Sequence, residues 1–393
     1  MATKSTPLVP KRRALPAQTF TIRTVEELER RCDLSYAPEE RGPLQEVLDR
    51  FVVRLTPHVV DLMRHSEAVT REFLPDAREL DDDQGQTHCF TGLLARGAPA
   101  CLERAYVDRC ILMPQPHCPA TCRFCFRKFY ERQGKTSEED LAAALAYIGR
   151  EKDLREVLIT GGEPILDKRL PWILGELRRL EHLGPLRVAC RSLITQPSLI
   201  DDVFIATLVA HQDLRAGKPI EVALHCNHPD ELSPPTIDAL ARLREAGIHV
   251  YNQTVLLRGV NLDAETMLRL GRELRRYGVE NYHLYFGGPV RGVDHWRPTL
   301  DEALALKRAL REAATGRLIP HLIVTTRLGK VELGVDGDVV EREIDGRHVW
   351  LSTPYHLEML QRVDPTFVLP SDARVGMSGM LELRYLDGPS ACS

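Results

Sequence analysis

The chain is 393 residues long, 43% hydrophobic and 27% charged, with a formal net charge of −4. That composition is ordinary for a globular protein with a large core, and the near-neutral charge excludes a strong electrostatic pull on nucleic acid or anionic lipid. Ten scattered cysteines argue against a disulfide scaffold, no apolar run is long enough to span a bilayer, and no apolar segment of a secretory signal follows Lys11-Arg12-Arg13, so a cytoplasmic protein without nucleic-acid or membrane partners is expected.

Residues 1–43 read as a solvated tail containing that basic triplet. Residues 44–107 read as a helical N-terminal region, because Leu44, Val47, Phe51, Leu55, Val59 and Leu62 recur at helical spacing over 44–75. The stretch from Leu74-Pro75-Asp76 to Gly85 is turn-rich and acidic and reads as a link. From residue 108 strand-like and helix-like runs alternate. Strands are expected at 109–114, 155–160, 187–193, 220–226, 249–256 and 281–286. Helices are expected after Thr136-Ser137, where acids follow a capping residue, and over Ile173–Leu180, Pro197–His211, Pro235–Ala246 and Ala264–Tyr277. Such alternation builds an α/β fold, a parallel sheet with helices outside and ligands at the C-terminal strand ends. Residues 319–393 read as a small C-terminal extension. It holds a strand at Leu322-Ile323-Val324 and a hairpin of 338–343 with 348–352 that turns at Asp345-Gly346.

Two segments carry chemistry. Cys118, Cys122 and Cys125 stand at Cys-x3-Cys-x2-Cys spacing after the first strand. Three such thiolates cannot complete a four-ligand zinc site unaided. They can hold three irons of a [4Fe–4S] cluster and leave the fourth open to a small molecule. Unrelated cysteines, or zinc completed by a remote ligand, are the other readings of the spacing alone. The second strand runs directly into Gly161-Gly162-Glu163-Pro164. Paired glycines let a ligand approach the backbone, and a carboxylate beside them can accept hydrogen bonds from an ammonium group. Alone, the two glycines mark only a turn.

The cysteine loop, then a strand, then the Gly-Gly-Glu turn resembles the signature of radical S-adenosylmethionine (SAM) enzymes. That resemblance implies a partial (β/α)6 barrel over 108–318, a cluster on Cys118, Cys122 and Cys125, and SAM held by Gly161, Gly162 and Glu163 and cleaved to a 5′-deoxyadenosyl radical. Longer segments narrow it. Tyr106-Val107-Asp108-Arg109, His225-Cys226-Asn227-His228-Pro229, the run from Asn252 to Asn261, and Tyr285 followed by Asp294-His295-Trp296-Arg297 are similar to the lysine 2,3-aminomutase family. The similarity extends over residues 44–355. It implies an isomerase that moves an α-amino group to the β-carbon of a small-molecule amino acid, using SAM and pyridoxal 5′-phosphate (PLP). A reducing electron donor of the flavodoxin or ferredoxin type would serve it, and a homo-oligomer is compatible with it.

Residue by residue, the resemblance makes Lys330 the lysine that holds PLP as an internal imine and Tyr285 a catalytic neighbour of the PLP ring. Arg109 would bind the PLP phosphate, Arg191, Ser192, His228 and Gln253 would line the SAM pocket, and Arg127 would grip the substrate carboxylate. Departures bear on substrate and cofactor. The family's glycine-rich run before the lysine is missing, a second phosphate arginine falls on Ala105 beside Arg104, and the zinc-binding cysteines of some members are reduced to Cys392, so no structural zinc is expected. Gly288 and Thr325-Thr326 stand where lysine-specific members carry two aspartates for the distant ammonium. An unpaired buried charge is costly, so free lysine is not expected as substrate. Arg291 and Arg327 in the same segments are candidates for holding an acidic side chain, unless both face solvent. An enzyme of changed outcome or without PLP (epimerase, decarboxylase or dehydrogenase) is the alternative on this scaffold. A non-catalytic iron–sulfur or zinc protein is the third reading.

Overall fold

The computed structural model describes residues 19–81, 98–104, 106–130, 134–334, 339–343 and 345–388. Folded structure begins earlier than expected. Phe20–Ile22 (β1) is followed by Val25–Cys32 (α1) and Pro38–Arg50 (α2), and β1 pairs antiparallel with Val53–Leu55 (β2). The expected tail therefore does not extend over residues 20–43. The helix expected over 44–75 is also interrupted. Thr56 precedes a proline, which disfavours helical geometry at residue 56, and its hydroxyl accepts from Val59 N at 3.1 Å. A helix must restart there, giving Pro57–His65 (α3) and then Glu67–Phe73 (α4), capped by Ser66. Phe51, Leu55 and Val59 are all buried without sharing a helix. Lys11-Arg12-Arg13 and residues 82–85 of the acidic link lie outside the described residues.

The central sheet collects Leu102–Glu103 (β3), Arg109–Gln115 (β4), Glu156–Gly161 (β5), Leu186–Cys190 (β6), Ile220–Leu224 (β7), His249–Leu256 (β8), Glu280–Phe286 (β9), His321–Thr326 (β10) and Gly329–Glu332 (β11), in that spatial order. From β4 to β10 every pairing is parallel, while β3 and β11 close the two edges antiparallel. The sheet curls into the expected half-barrel. Its parallel part has one strand more than expected: β10, read as lying beyond the barrel, pairs parallel with β9 from His321↔His283 to Val324↔Phe286.

Between the strands lie Glu138–Arg150 (α5), Leu170–Arg178 (α6), Ser192–Thr195 (α7), Asp202–Ala210 (α8), Pro234–Glu245 (α9), Ala264–Arg276 (α10) and Leu300–Ala313 (α11). Period-two alternation sorts the strand residues. Val157, Ile159, Val188, Val222 and Leu224 are buried in the main core. Leu158, Thr160, Ala189, Ala223, Gln253 and Tyr285 face inward, and the small Ala189 and Ala223 leave the barrel's middle open.

The C-terminal extension adds Val339–Arg342 (β12), His348–Ser352 (β13), Leu357–Val363 (α12), Ala373–Val375 (β14) and Leu381–Leu386 (β15), in a sheet ordered β12-β13-β15-β14. The expected hairpin is present, with Gly346 at a φ of 66° in its turn. Tyr355, Leu360, Leu381 and Leu383 pack on Leu328, so this extension braces the β10–β11 turn. Asp338 and Cys392 lie outside the described residues. Among the described residues, no helix is long and apolar enough to cross a membrane.

Candidate active site

The C-terminal ends of the parallel strands open onto a cavity of about 360 Å³. Cys118, Cys122, Cys125, Arg127, Gly161, Gly162, Glu163, Arg191, Gln253, Tyr285 and Lys330 all line it. The cysteine loop joins β4 to α5, and the N-terminal region imposes its shape. Arg54 Nη1 donates to the Cys118 carbonyl at 2.6 Å, Thr121 N to Arg54 O at 2.9 Å and Arg123 N to Glu72 O at 2.8 Å. Behind the loop, Arg123 Nε and Lys128 Nζ each donate to the buried Glu79 carboxylate at 2.9 Å. Sequence reading missed Glu79, which sits in the supposed link. The available signal was the pair of cations flanking the cysteines, since buried cations need an anion.

None of the three thiols is in a disulfide, and their sulfurs do not all lie within 4.8 Å of one another. Among the described residues only Glu343, Asp345 and His348 bring three ligand atoms within 4.8 Å of one another. Sulfurs sharing one zinc at about 2.3 Å would lie within about 4 Å of each other. The three sulfurs are not placed as such a closed set.

The Gly-Gly-Glu turn is packed against this loop. Gly162 N donates to Gln115 O at 2.7 Å and Glu163 N to His117 O at 2.8 Å. A Cβ on Gly162 would fall 2.3 Å from Pro116 C and 2.4 Å from His117 N and O, so only glycine fits. Gly162→Ala is therefore expected to push the cysteine loop aside and lower cluster iron to a small fraction of wild type. Iron analysis of the anaerobically reconstituted protein checks this, and a fully loaded variant would show that the loop yields without cost.

Glu163 is 2% exposed. Its Oε2 accepts from Ser192 N at 2.9 Å, whereas Oε1 is buried without a partner. Burial pushes its carboxyl up to about 7. An incoming ammonium would satisfy the orphaned oxygen and restore the charged form. The residues present thus fit SAM. Ser192 contributes through its backbone to Glu163 and does not line the cavity.

Lys330 approaches from β11. Arg327-Leu328 form a tight turn between Thr326 and its partner Gly329, which sets Lys330 opposite Thr325. This hairpin sets Lys330 on the cavity wall without a glycine-rich run. The Lys330 amine donates to the Tyr285 hydroxyl. Burial, then the nearby charges of Arg109 and Arg187, hold the amine's pKa well below the usual lysine range. Carbonyl attachment needs an unprotonated amine, and a lysine of lowered pKa on a cavity wall gives up its proton more easily, so the residue present fits PLP. Tyr285 stays protonated, its phenol pushed up by burial.

The profile of the Radical SAM superfamily matches residues 112–303. An Aquifex aeolicus protein provisionally named an L-lysine 2,3-aminomutase is 30% identical over 341 residues, covering 84% of this chain and 90% of the relative. The chain belongs to the lysine 2,3-aminomutase family of radical SAM enzymes. L-lysine 2,3-aminomutase of Methanococcus maripaludis is 27% identical, covering 90% of this chain and 80% of that one. Glutamate 2,3-aminomutase of Clostridioides difficile is 28% identical, covering 75% and 70%. Relatives named for two different amino acids share this likeness, so it leaves the substrate open.

Several expected site residues of this family member lie elsewhere. His228 caps the turn at Pro229–Glu231, its Nδ1 accepting from Asp230 N at 3.3 Å, and does not line the cavity. His225 lines it instead, against Phe124, with its pKa pushed down to about 3 by burial and Arg191. Strand alternation from Ala223 was the signal for it. Arg191 is gripped by Glu72 at 2.9 Å and by Glu231. Arg127 pairs with Glu103 at 3.0 Å. Arg109 stands at the opposite end of β4 with its guanidinium 4.4 Å over the Tyr106 ring. Arg104 turns outward to Glu151 at 2.6 Å, and Ala105 lies outside the described residues. Arg327 pairs with Asp372 at 3.1 Å, and neither it nor Arg291 lines the cavity. The asparagines of the 252–261 run are structural: Asn252 bridges Cys226 N and O, and Asn261 bridges Leu257 N and Asn227 O.

Proposed function

We propose that this chain is a PLP-dependent radical SAM 2,3-aminomutase acting on an amino acid other than lysine. One observation carries the reading. A single cavity holds the three cysteine thiols, the orphaned Glu163 oxygen and the Lys330 amine, whose pKa lies well below the usual lysine range, and among the described residues Glu163 is the only carboxylate on its walls. Cluster and SAM, when bound, would supply a radical that removes a β-hydrogen, and PLP would supply the electron-delocalising group through which nitrogen migrates.

The chain's residues divide the remaining work. Cys118, Cys122 and Cys125 would ligate the cluster, and Glu163 would accept from SAM's ammonium, with Gln253 and Arg191 beside it. Lys330 would anchor PLP next to Tyr285. Arg127 would meet the substrate carboxylate by exchanging its bond to Glu103. Val290, Val293 and Trp296, beside Gly288, form an apolar wall that excludes water from the reacting atoms.

The substrate follows from charge. With Glu163 committed to SAM, the walls retain the cations Arg127, Lys128, Arg191 and Arg297 but no acid for a second substrate ammonium. Asp294, the carboxylate closest in sequence, is held by Arg297 at 2.6 Å. An uncharged or acidic side chain is compatible with these walls, although the acidic case does not rest on Arg291 or Arg327. Lacking a buried partner costs about 3–5 kcal/mol, roughly a hundred- to several-thousand-fold in rate. In anaerobic incubations of pooled amino acids with SAM, PLP and a reductant, mass spectrometry is expected to find the β-isomer of a non-lysine amino acid. Faster formation of β-lysine than of any other product would reject the assignment.

A further inference from the structure

A line of hydrogen bonds runs away from the cavity beneath Lys330. The lysine amine contacts the Tyr285 hydroxyl, and that hydroxyl lies 3.0 Å from His283 Nδ1. His283 and Tyr285 are two apart on β9 and share its inward face. His283 is 7% exposed. Facing it are Tyr282, His321, Lys330, Arg109 and Arg187. Burial first, then any proton on Lys330 or His321 and the charges of Arg109 and Arg187, disfavour a proton on the imidazole, whose pKa is pushed down to about 2.

We propose that His283 is a positioning residue: by accepting the Tyr285 proton at Nδ1, it turns the phenol oxygen's lone pairs toward Lys330 and so keeps the lysine nitrogen's own lone pair free for attack on a carbonyl. The reason is the polarity of the line. A phenol has one proton to donate. An amine nitrogen is a strong acceptor, so a Tyr285 hydroxyl without His283 would donate to Lys330 and occupy the nucleophilic lone pair. With the proton given to His283, the amine can only donate to Tyr285. When Lys330 attacks the PLP aldehyde, a carbon–nitrogen double bond forms, the nitrogen gives up two protons and the aldehyde oxygen leaves as water. A free lone pair is needed at the first of these bonds. Sequence reading passed over His283, which stands between two tyrosines of the β9 run.

This inference rests on Lys330 as the PLP anchor, and one arm of its test does not. In PLP-free protein, Lys330 acetylation by an amine-selective reagent would be followed by peptide mass spectrometry from pH 6 to 10. In a second arm, PLP is added and the rise of its lysine-bound absorbance is timed. His283→Leu is expected to slow both by roughly three- to tenfold, the weight of one hydrogen bond, and His283→Gln, which restores an acceptor, to recover most of the loss. In a Tyr285→Phe background His283→Leu should change neither rate. Unchanged rates in His283→Leu, or an equal slowing in the Tyr285→Phe background, would overturn the proposal. Normal Lys330 acetylation effects without any PLP attachment would uphold the hydrogen-bond polarity and reject the PLP reading alone.

Discussion

The triple variant Cys118→Ala, Cys122→Ala, Cys125→Ala is expected to retain its fold, bind background iron only, and yield no 5′-deoxyadenosine from SAM. The fold should survive because the loop's shape depends on backbone and arginine contacts rather than on sulfur. Arg54 holds the Cys118 carbonyl, Thr121 is bonded to Arg54, and Arg123 is bonded to Glu72. Activity should not survive, because among the described residues no other set of three soft ligands is brought together, and the Glu343, Asp345 and His348 group is made of nitrogen and oxygen donors. Those three are already engaged, Glu343 with Arg384 and Asp345 with His348. Single variants should lose SAM cleavage as well, since two thiolates leave two irons open and the cluster labile. Iron and sulfide content, circular dichroism and chromatographic assay of deoxyadenosine under strong reductant make the measurement. Full cluster iron in the triple variant would remove the cluster from these cysteines.

What could be read from the sequence divides along physical lines. Strand and helix runs from residue 109 to 286 were legible, because β-branched, apolar strands and amphipathic helices carry their own periodicities. The N-terminal region departs from the expected helix because buried residues at helical spacing fall in different elements, Val47 in α2, Leu55 in β2 and Val59 in α3 after Thr56-Pro57. The cysteines and the Gly-Gly-Glu turn, read from local spacing, and Lys330, placed by the family resemblance, all line one cavity. Arg327 does not. Its segment turns back on itself at Leu328, and the charge is directed to Asp372 on the extension, 45 residues on. His228 and His225 differ by strand parity alone, and the end of β7 at Leu224 decides between them. Partners supplied from distant segments, Glu72 to Arg191 and Glu79 to Arg123, leave no local pattern in a single sequence.

Glu79→Ala is expected to destabilise the protein by about 3–5 kcal/mol, the usual cost of stripping one partner from a buried ionic group, and to release the cluster faster. Three buried groups meet at this carboxylate. Arg123 and Glu79 side chains are both 0% exposed and Lys128 is 3% exposed. Arg123 also donates to Val52 O at 3.0 Å and Lys128 to the Gly292 carbonyl. Glu79 therefore ties the cysteine loop to the N-terminal region on one side and to the segment after β9 on the other. Its removal leaves two cations in a dry site with carbonyls as partners. Burial works to raise the Glu79 pKa, but Arg123 and Lys128 outweigh it and hold the carboxyl below the usual range. The sign follows. The contribution is complete above the unfolded glutamate value, about 4.3, and is lost as pH falls through the lower native value. Urea denaturation at neutral and acidic pH, with iron release timed against a chelator, reads both effects. Replacing Arg123 by Met alongside Glu79→Ala should recover part of the stability, because the second change removes a charge that the first left unpaired. A Glu79→Ala protein with unchanged unfolding midpoint and iron release would show that the cysteine loop is held by its backbone contacts alone.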